Sequence, residues 1–369
     1  MSEPLKIYLN VLSKFPIKEK IIDVQPIGNG HINDTLGVTI ETRDGQQELK
    51  YVLQRINTEI FKDVETLQNN IFRVTTHIAR KLKEKGEENI ERKTLTFLHA
   101  SDGRKYYFDS KDYWRVAYYI PNSVSYDTLT PELAYTAGKA FGEFQSMLAD
   151  LPEDALVETI PNFHNMEYRL EDLEQAIRED KAGRAEEVKD LIAEIRERAP
   201  LMVIQEEMHK EGKLPKRTNH CDTKVNNILF DKTDDHVITV VDLDTVMPGY
   251  VLSDIGDFIR TGTNTGKEDE EDLSKVGVDM EIFKAYTKGY METAQSFLTP
   301  EEIKLLPYGG RLLTYMQTVR FLTDYLNGDT YYKTSKPKHN LIRARAQMEL
   351  LKRLEEKESE MDTFMQQWL

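Results

Sequence analysis

The polar residues best suited to chemistry stand in one stretch of the chain, from Asp222 to Asp244. Asn227 precedes a short apolar run, a polar turn and a β-branched run, which together predict a β-hairpin. The second strand ends at Asp242, so the hairpin would place that carboxylate beside Asn227. A carboxylate and an amide oxygen are what Mg²⁺ takes from a protein when phosphates supply its other ligands. The stretch therefore predicts a magnesium site, with Asp244 either as a second metal ligand or as a residue that orients Asp242.

The spacing around Asp222 adds a proton acceptor. His220-x-Asp222-x-x-x-x-Asn227 matches the catalytic loop of kinases, in which the aspartate takes the proton of the acceptor hydroxyl and the asparagine holds magnesium. An H-x-D pair alone is more often a turn, but a turn gives no reason for Asn227 and Asp242 to follow it. We therefore predict phosphoryl transfer with Asp222 as the base. Lys224 is expected to neutralise the phosphoryl oxygens as charge develops on them.

A glycine pair near the start of the chain predicts a nucleotide loop. Gly28 and Gly30 lie between two predicted strands, where glycines let the backbone approach phosphates, and Asn33 stands where a third glycine would complete the pattern. G-x-G alone is a weak signal, and it gains value from its order before the Asp222 loop. The following strand carries Gln54 and Arg55 where a phosphate-binding lysine is expected, so the identity of that cation stays open.

The elements around these residues change character along the chain. The part up to about residue 120 reads as an antiparallel sheet with one helix, predicted from Val64 to about Lys85, and with a strand at 94–98. The later part reads as helices, at about 131–148, 166–177, 188–195, 280–297, 311–326 and 341–368, with the hairpin embedded among them. This order predicts an α+β fold.

Composition limits the classes of function. The 369 residues carry a formal net charge of −15, which argues against a nucleic-acid or anionic membrane partner, since either would need a basic face. The single cysteine, Cys221, excludes an intramolecular disulfide framework and fits a reducing cytoplasm. The amino end shows no apolar targeting segment, and no apolar run approaches a membrane span. We expect a cytoplasmic protein, and a monomer.

Several segments of this sequence together resemble those of bacterial N-acetylhexosamine 1-kinases, in the aminoglycoside-phosphotransferase and choline-kinase branch of the protein-kinase-like fold. The resemblance is carried by five segments: Gly28–Asn33, Trp114-Arg115-Val116, Asn219–Asn227, Asp242–Gly249 and Arg320–Leu326. Where wider relatives read H-G-D-x-H-P-x-N, this chain reads H-C-D-T-K-V-N-N. That departure from the superfamily is similar to the sugar 1-kinases.

The resemblance implies a bilobal fold, with a nucleotide-binding lobe at 1–120 and a larger helical lobe at 121–369. It implies transfer of the ATP γ-phosphoryl group, with Mg²⁺, to the anomeric hydroxyl of N-acetylglucosamine or N-acetylgalactosamine. His31, Arg320 and Tyr331 would contact the sugar, although each taken singly is more often structural. The adenine would lie against the hinge, near Tyr118 and Ile120.

Two other functions stay open. The nearer is a kinase of the same fold that acts on another sugar or on an amino alcohol. The farther is a non-catalytic nucleotide-binding protein, which only the missing strand lysine favours, and against which Asp222, Asn227 and Asp242 all count.

Overall fold

The computed structural model describes residues 3–27 and 33–369, and the chain forms two compact units. The first unit comprises Met1–Ser125, Asp150–Pro161 and Ile228–Met247. The second comprises Tyr126–Ala149, Asn162–Asn227 and Pro248–Leu369. The sequence predicted two lobes divided at residue 120. The two compact units divide the chain differently, and the two lobes stay a prediction.

The first unit is built on an antiparallel sheet. Its five strands are β1 (Lys20–Pro26), β2 (Asp34–Glu41), β3 (Gln47–Ile56), β4 (Tyr107–Phe108) and β5 (Tyr113–Tyr118), in the spatial order β1-β2-β3-β5-β4. The turn between β2 and β3 contains Gly45, whose φ of +82° lies in the left-handed region that glycine adopts without strain. The predicted antiparallel sheet is confirmed.

Three helices accompany this sheet: α1 (Glu3–Leu12), α2 (Val64–Glu84) and α3 (Ile90–Lys93). The prediction of α2 is confirmed, and Asp63 caps it by accepting a 3.0 Å hydrogen bond from the backbone N–H of Thr66. The helices α1 and α3 were not predicted. The strand predicted at 94–98 is wrong, because α3 takes up the preceding residues and only Phe97 forms a bridge, to Ala117 of β5.

The two faces of the sheet differ in polarity. One face packs with α1 around a core that includes Leu36, Val38, Leu53 and Val116. The register pairs Gln54 with Thr35 of β2 and with Arg115 of β5, so these three residues share the opposite face, since side chains alternate along each strand. A polar row therefore crosses three strands on the face away from the α1 core.

Five short strands follow along the chain: β6 (Ser123–Val124), β7 (Arg217–Asn219), β8 (Ile228–Asp231), β9 (Val237–Val240) and β10 (Met247–Gly249). Within the first unit, β6, β8 and β9 form an antiparallel sheet in the order β6-β8-β9. Ile228 pairs with Val240 in this register. The hairpin predicted after Asn227 is confirmed.

The second unit is mainly helical. Its helices are α4 (Pro131–Leu148), α5 (Met166–Glu179), α6 (Lys189–Met202), α7 (Ile204–Lys210), α8 (Val251–Gly262), α9 (Met280–Ala294), α10 (Pro300–Leu326) and α11 (His339–Met365). All but α7 and α8 were predicted. Helix α8 was not predicted, although Val251, Leu252, Ile255, Phe258 and Ile259 recur at helical spacing; the polar residues of 251–260 are buried as well.

Close helix contacts hold this unit together. A Cβ atom on Gly138 of α4 would lie 2.1 Å from the Tyr286 carbonyl oxygen of α9, so only glycine permits this approach. None of the helices in the described ranges is long and apolar enough to cross a membrane.

Candidate active site

The centre of the candidate site is the Asp222 carboxylate, which lies between a cation and an amide in the second unit. Lys224 Nζ lies 2.9 Å from Asp222 Oδ1. Asn227 Nδ2 donates to Asp222 Oδ2 at 3.1 Å and to the Asp222 carbonyl at 2.8 Å. The predicted base and two of its predicted neighbours therefore lie together.

This arrangement keeps Asp222 ionised. Burial opposes ionisation, but the Lys224 ammonium, with help from His220 and the Asn227 amide, outweighs it and holds the pKa of the Asp222 carboxyl below its ordinary value of 3.8. The same attraction raises the pKa of Lys224. At neutral pH, Asp222 can accept a proton and Lys224 carries a positive charge.

The backbone of the Asp222 loop is anchored by Asp254 of α8. The Asp254 carboxylate accepts hydrogen bonds from the backbone N–H groups of His220 at 2.9 Å and Cys221 at 2.7 Å, and from Gln145 Nε2 at 2.7 Å. Burial raises the pKa of Asp254 to about 6, although His220 and the donated N–H groups oppose that shift. Sequence reasoning missed this anchor because its only signal was an acid inside an unpredicted helix.

Cys221 adopts a left-handed backbone conformation, with φ at +62°. Side chains rarely adopt this region, whereas glycine does so readily. The conformation turns two successive N–H groups towards one carboxylate, and the Cys221 side chain is buried. The buried side chain indicates a packing role for Cys221.

A second cluster of the same unit, here the Arg320 cluster, consists of Phe163, His164, Gln317, Arg320 and Tyr332. The Arg320 guanidinium lies 5.0 Å from the Phe163 ring centroid and 5.7 Å from that of Tyr332. Its Nη1 donates to Gln317 Oε1 at 3.3 Å, and Gln317 Nε2 donates to the Tyr332 hydroxyl at 3.2 Å. The Phe163 and His164 rings are stacked, with centroids 4.4 Å apart.

His164 of the Arg320 cluster is uncharged at neutral pH. Burial, reinforced by the nearby charges of Arg320 and Arg169, lowers its pKa to about 3, while the Asp222 charge opposes the shift. Its Nδ1 is buried and has no hydrogen-bond partner among the residues that the structure describes. Because the Asp222 charge affects the pKa of His164, the Arg320 cluster lies within electrostatic range of Asp222.

Tyr331 and Arg320 were both predicted as sugar contacts, and they have different surroundings in the structure. Tyr331 is 56% exposed, and its ring meets Tyr332 edge to face, with centroids 4.8 Å apart. Asp324, four residues after Arg320 on α10, accepts hydrogen bonds from backbone N–H groups of the loop that follows this helix. Arg320 forms no ion pair with any residue in the described ranges, and sugar contact by either residue stays a prediction.

In the first unit, Asp244 forms a buried ion pair. Arg115 donates from Nη1 to Asp244 Oδ1 at 2.5 Å and from Nη2 to Oδ2 at 2.9 Å, and both side chains are 3% exposed. Asn33 Nδ2 also donates to Asp244 Oδ2, at 2.5 Å. Both Asp244 oxygens are engaged by protein donors, which favours the orienting role over direct metal binding.

The predicted magnesium ligands have suitable chemistry. Asn227 uses its amide nitrogen for Asp222, which leaves the carbonyl oxygen that a cation prefers. Asp242 follows β9 in a left-handed conformation, with φ at +59°. A carboxylate and an amide oxygen fit Mg²⁺, and binding by Asn227 and Asp242 stays a prediction.

Three predicted contact residues lie outside the described ranges: Gly28 and Gly30 for the nucleotide, and His31 for the sugar. Asn33 is described, and its side chain binds Asp244 and the backbone N–H of Asn57. The backbone N–H of Tyr118 donates to the Thr96 carbonyl at 3.0 Å, and the Ile120 carbonyl accepts from the Ser123 hydroxyl at 2.7 Å. Nucleotide contact at these positions stays a prediction.

Comparison with known proteins gives the family. Residues 23–280 match the phosphotransferase enzyme family. The chain belongs to this phosphotransferase family. Three solved structures show the same fold. A microcompartment-associated aminopropanol kinase shares 13% identity and a TM-score of 0.59, over 97% of this chain and 98% of its own.

The other two structures are aminoglycoside phosphotransferases. One, from Alicyclobacillus acidocaldarius, has 13% identity and a TM-score of 0.57 over 95% of this chain and 96% of its own. The second, in a ternary complex with streptomycin and ATP, has 13% identity and a TM-score of 0.54 over 94% and 97%. At this identity the likeness establishes the fold, and the predicted protein-kinase-like α+β fold is confirmed.

Two features of this phosphotransferase were missed in the sequence. Asp254 and Arg115 each bind a partner far away in the chain, so no local spacing connects them with the residues that they hold. For Arg115 the structure supplies what the sequence lacked: the strand register sets it opposite Gln54, which occupies the position where a cation was expected.

Proposed function

We propose that this phosphotransferase is an ATP-dependent N-acetylhexosamine 1-kinase. It would transfer the γ-phosphoryl group to the anomeric hydroxyl of N-acetylglucosamine or N-acetylgalactosamine and form the α-1-phosphate. The family supports phosphoryl transfer, and a relative of the same fold is described with ATP bound. The observation that carries the finer proposal is the composition of the Arg320 cluster beside Asp222.

The roles follow from the local geometry. The sugar hydroxyl gives its proton to an Asp222 oxygen as the oxygen–phosphorus bond forms, and the ADP oxygen leaves with its electron pair. An anomeric hydroxyl is more acidic than an ordinary alcohol, so a carboxylate of low pKa is an adequate base. Lys224 offsets negative charge on the transferred group. A magnesium ion held by Asn227 and Asp242 would supply further neutralisation of the phosphates.

The charge of the Arg320 cluster disfavours a cationic acceptor. Choline, amino alcohols and aminoglycosides carry ammonium groups, which bind the faces of aromatic rings or carboxylates. Here Arg320 already covers Phe163 and Tyr332, and Arg169 adds a second positive charge. A neutral acceptor with hydroxyl and amide groups suits this environment better, because a guanidinium and a neutral imidazole can both donate to its oxygens. Arg320, Tyr331 and His31 are proposed as its contacts.

The test is an acceptor panel with product analysis. The purified protein is given ATP and Mg²⁺ with N-acetylglucosamine, N-acetylgalactosamine, glucose, choline, ethanolamine or homoserine, and products are identified by phosphorus NMR. We expect turnover of the N-acetylhexosamines to 1-phosphates, at rates at least tenfold above the amino alcohols, roughly 1.4 kcal/mol of discrimination. A 6-phosphate product, or faster turnover of choline or homoserine, would contradict the proposal and leave the family assignment standing.

A further inference from the structure

No lysine occupies the position on β3 where the strand cation is expected, and Lys50 of the same strand pairs with Glu19. Gln54 occupies the position, and it donates from Nε2 to the Thr35 hydroxyl at 3.0 Å. Arg55, the next residue, points to the other face and pairs with Asp34, its Nε lying 2.8 Å from Asp34 Oδ2. The Arg55 side chain is 41% exposed. Neither residue supplies a buried positive charge.

Arg115 supplies that charge from the neighbouring strand. It lies directly opposite Gln54, and its Nε donates to Gln54 Oε1 at 2.8 Å. Its Nη1 and Nη2 form two parallel hydrogen bonds to Asp244, and the guanidinium lies 5.4 Å from the Phe97 ring centroid. Such a bidentate pair fixes both direction and distance, because the planar guanidinium matches the carboxylate. Gln54 therefore occupies the position expected for the lysine and orients the Arg115 guanidinium through a hydrogen bond.

Asp244 connects this cation to two segments of the nucleotide site. It lies two residues after Asp242, in the turn Leu243–Thr245. It also accepts from Asn33, which lies three residues after Gly30 in the chain, and Asn33 Oδ1 accepts from the Asn57 backbone N–H at 2.9 Å. One carboxylate thus holds the turn after Asp242 and the residue that closes the glycine segment.

The burial of this pair calls for a role other than stability. Removing two charges from water is costly, and replacing a buried ion pair by apolar residues of similar volume is often neutral or stabilising. Arg115 donates from Nε, Nη1 and Nη2, and both Asp244 oxygens accept, so these hydrogen bonds hold the pair in one geometry. A fixed geometry matters most where a ligand must be bound.

We propose that Arg115 is the positioning residue of the nucleotide–metal site, acting through Asp244 to hold the turn of Asp242 and the end of the glycine segment in place of the missing strand lysine. The proposal rests on the proposed function, because it presumes a nucleotide bound with magnesium. It assigns to Arg115 no contact with the substrate.

The test measures binding by the full chain with isothermal titration calorimetry, using ADP with and without Mg²⁺ and no acceptor. Arg115→Lys keeps the charge but cannot form the bidentate pair. We expect its affinity for ADP with Mg²⁺ to fall by about 10–100-fold, as for residues that orient metal ligands. In calorimetry the gain in ADP affinity on adding Mg²⁺ should shrink, and in separate steady-state kinetics the KM of the acceptor should stay unchanged. Arg55→Lys, in an exposed pair on the adjacent strand, is the matched control and should bind as the wild type does.

A second variant separates positioning from folding. Arg115→Met combined with Asp244→Leu replaces the pair by apolar side chains, and should keep the thermal unfolding temperature while losing binding of ADP with Mg²⁺. Wild-type affinity in this double variant would overturn the proposal, and so would its failure to fold, since the pair would then serve stability. If the wild type itself bound no ADP with Mg²⁺, the proposed function and this inference would fall together.

Discussion

At the scale of single residues, the candidate site depends on how charges are paired. Asp222 stays ionised despite burial because Lys224 lies 2.9 Å away. His164 stays neutral because burial and two guanidinium groups disfavour its charged form. Opposite protonation preferences thus occur within one small region, and such perturbed groups are typical of functional sites.

Asp222→Asn tests the proposed base. The amide cannot accept the hydroxyl proton, so kcat should fall by about 10²–10⁴-fold, the usual contribution of a general base. Binding of ADP with Mg²⁺ should be unchanged in calorimetry. Asp234→Asn, an exposed acid of the hairpin turn, is the matched control. Retention of more than about a tenth of the wild-type kcat would contradict the assignment, because a catalytic base contributes at least about a hundredfold.

At the scale of elements, the segment after α10 is held by one buried carboxylate. Asp324 Oδ1 accepts from the backbone N–H groups of Thr330 and Tyr331, both at 2.8 Å. Asp324 Oδ2 accepts from the Tyr332 N–H at 2.9 Å and from Asn340 Nδ2 at 2.8 Å. These four bonds fix the loop that carries Tyr332 against Arg320.

Asp324→Asn should loosen this loop without touching the nucleotide. An amide offers one acceptor oxygen where the carboxylate offers two, and each lost bond to a charged group is worth about 1.5–3 kcal/mol. We expect the KM of the acceptor to rise by roughly tenfold or more, with the KM of ATP unchanged, in steady-state kinetics. Asp272→Asn, an exposed acid of the same unit, should change neither constant. An equal rise of both KM values would speak against a specific effect on the acceptor.

At the scale of the whole molecule, polar networks connect residues that are distant in the chain. Asp254 joins α8 to the Asp222 loop and to α4 through Gln145. Its ionisation affects stability, because burial raises its pKa from 3.8 to about 6. The folded chain therefore binds this proton more tightly than the unfolded chain. The resulting stabilisation is full below about pH 4 and is lost as the pH rises through about 6.

Asp254→Asn removes this pH dependence. The free energy of unfolding of the variant, relative to the wild type, should increase by about 2 kcal/mol between about pH 4.5 and about pH 7.5, measured by denaturant titration. All other groups cancel in the difference. Asp102→Asn is the control, because Arg104 lowers the pKa of that exposed carboxyl, so it is ionised across this range and its difference from the wild type should not change with pH. A difference for Asp254→Asn that stays constant with pH would refute the expected effect.

The sequence by itself determined the local features. The hairpin after Asn227 follows from a β-branched run and a turn, and α2 follows from apolar residues at helical spacing. The Asp222 loop follows from residue types at short, fixed separations, and it brings Lys224 and Asn227 to Asp222 because only a few bonds lie between them. The spacing of residues that are close in the chain is therefore enough to predict their geometry.

Only the tertiary structure decided the partners of these features. Asp244 meets Arg115, 129 positions earlier, and Asp254 meets the amide of Cys221, 33 positions earlier. The sequence offered Arg55 as the nearest positive charge, and only the strand register sets Arg115 opposite Gln54. Pairings of this kind depend on how whole helices and strands pack. A buried charged residue without a partner costs free energy, so the charged residues that are buried are those that find one.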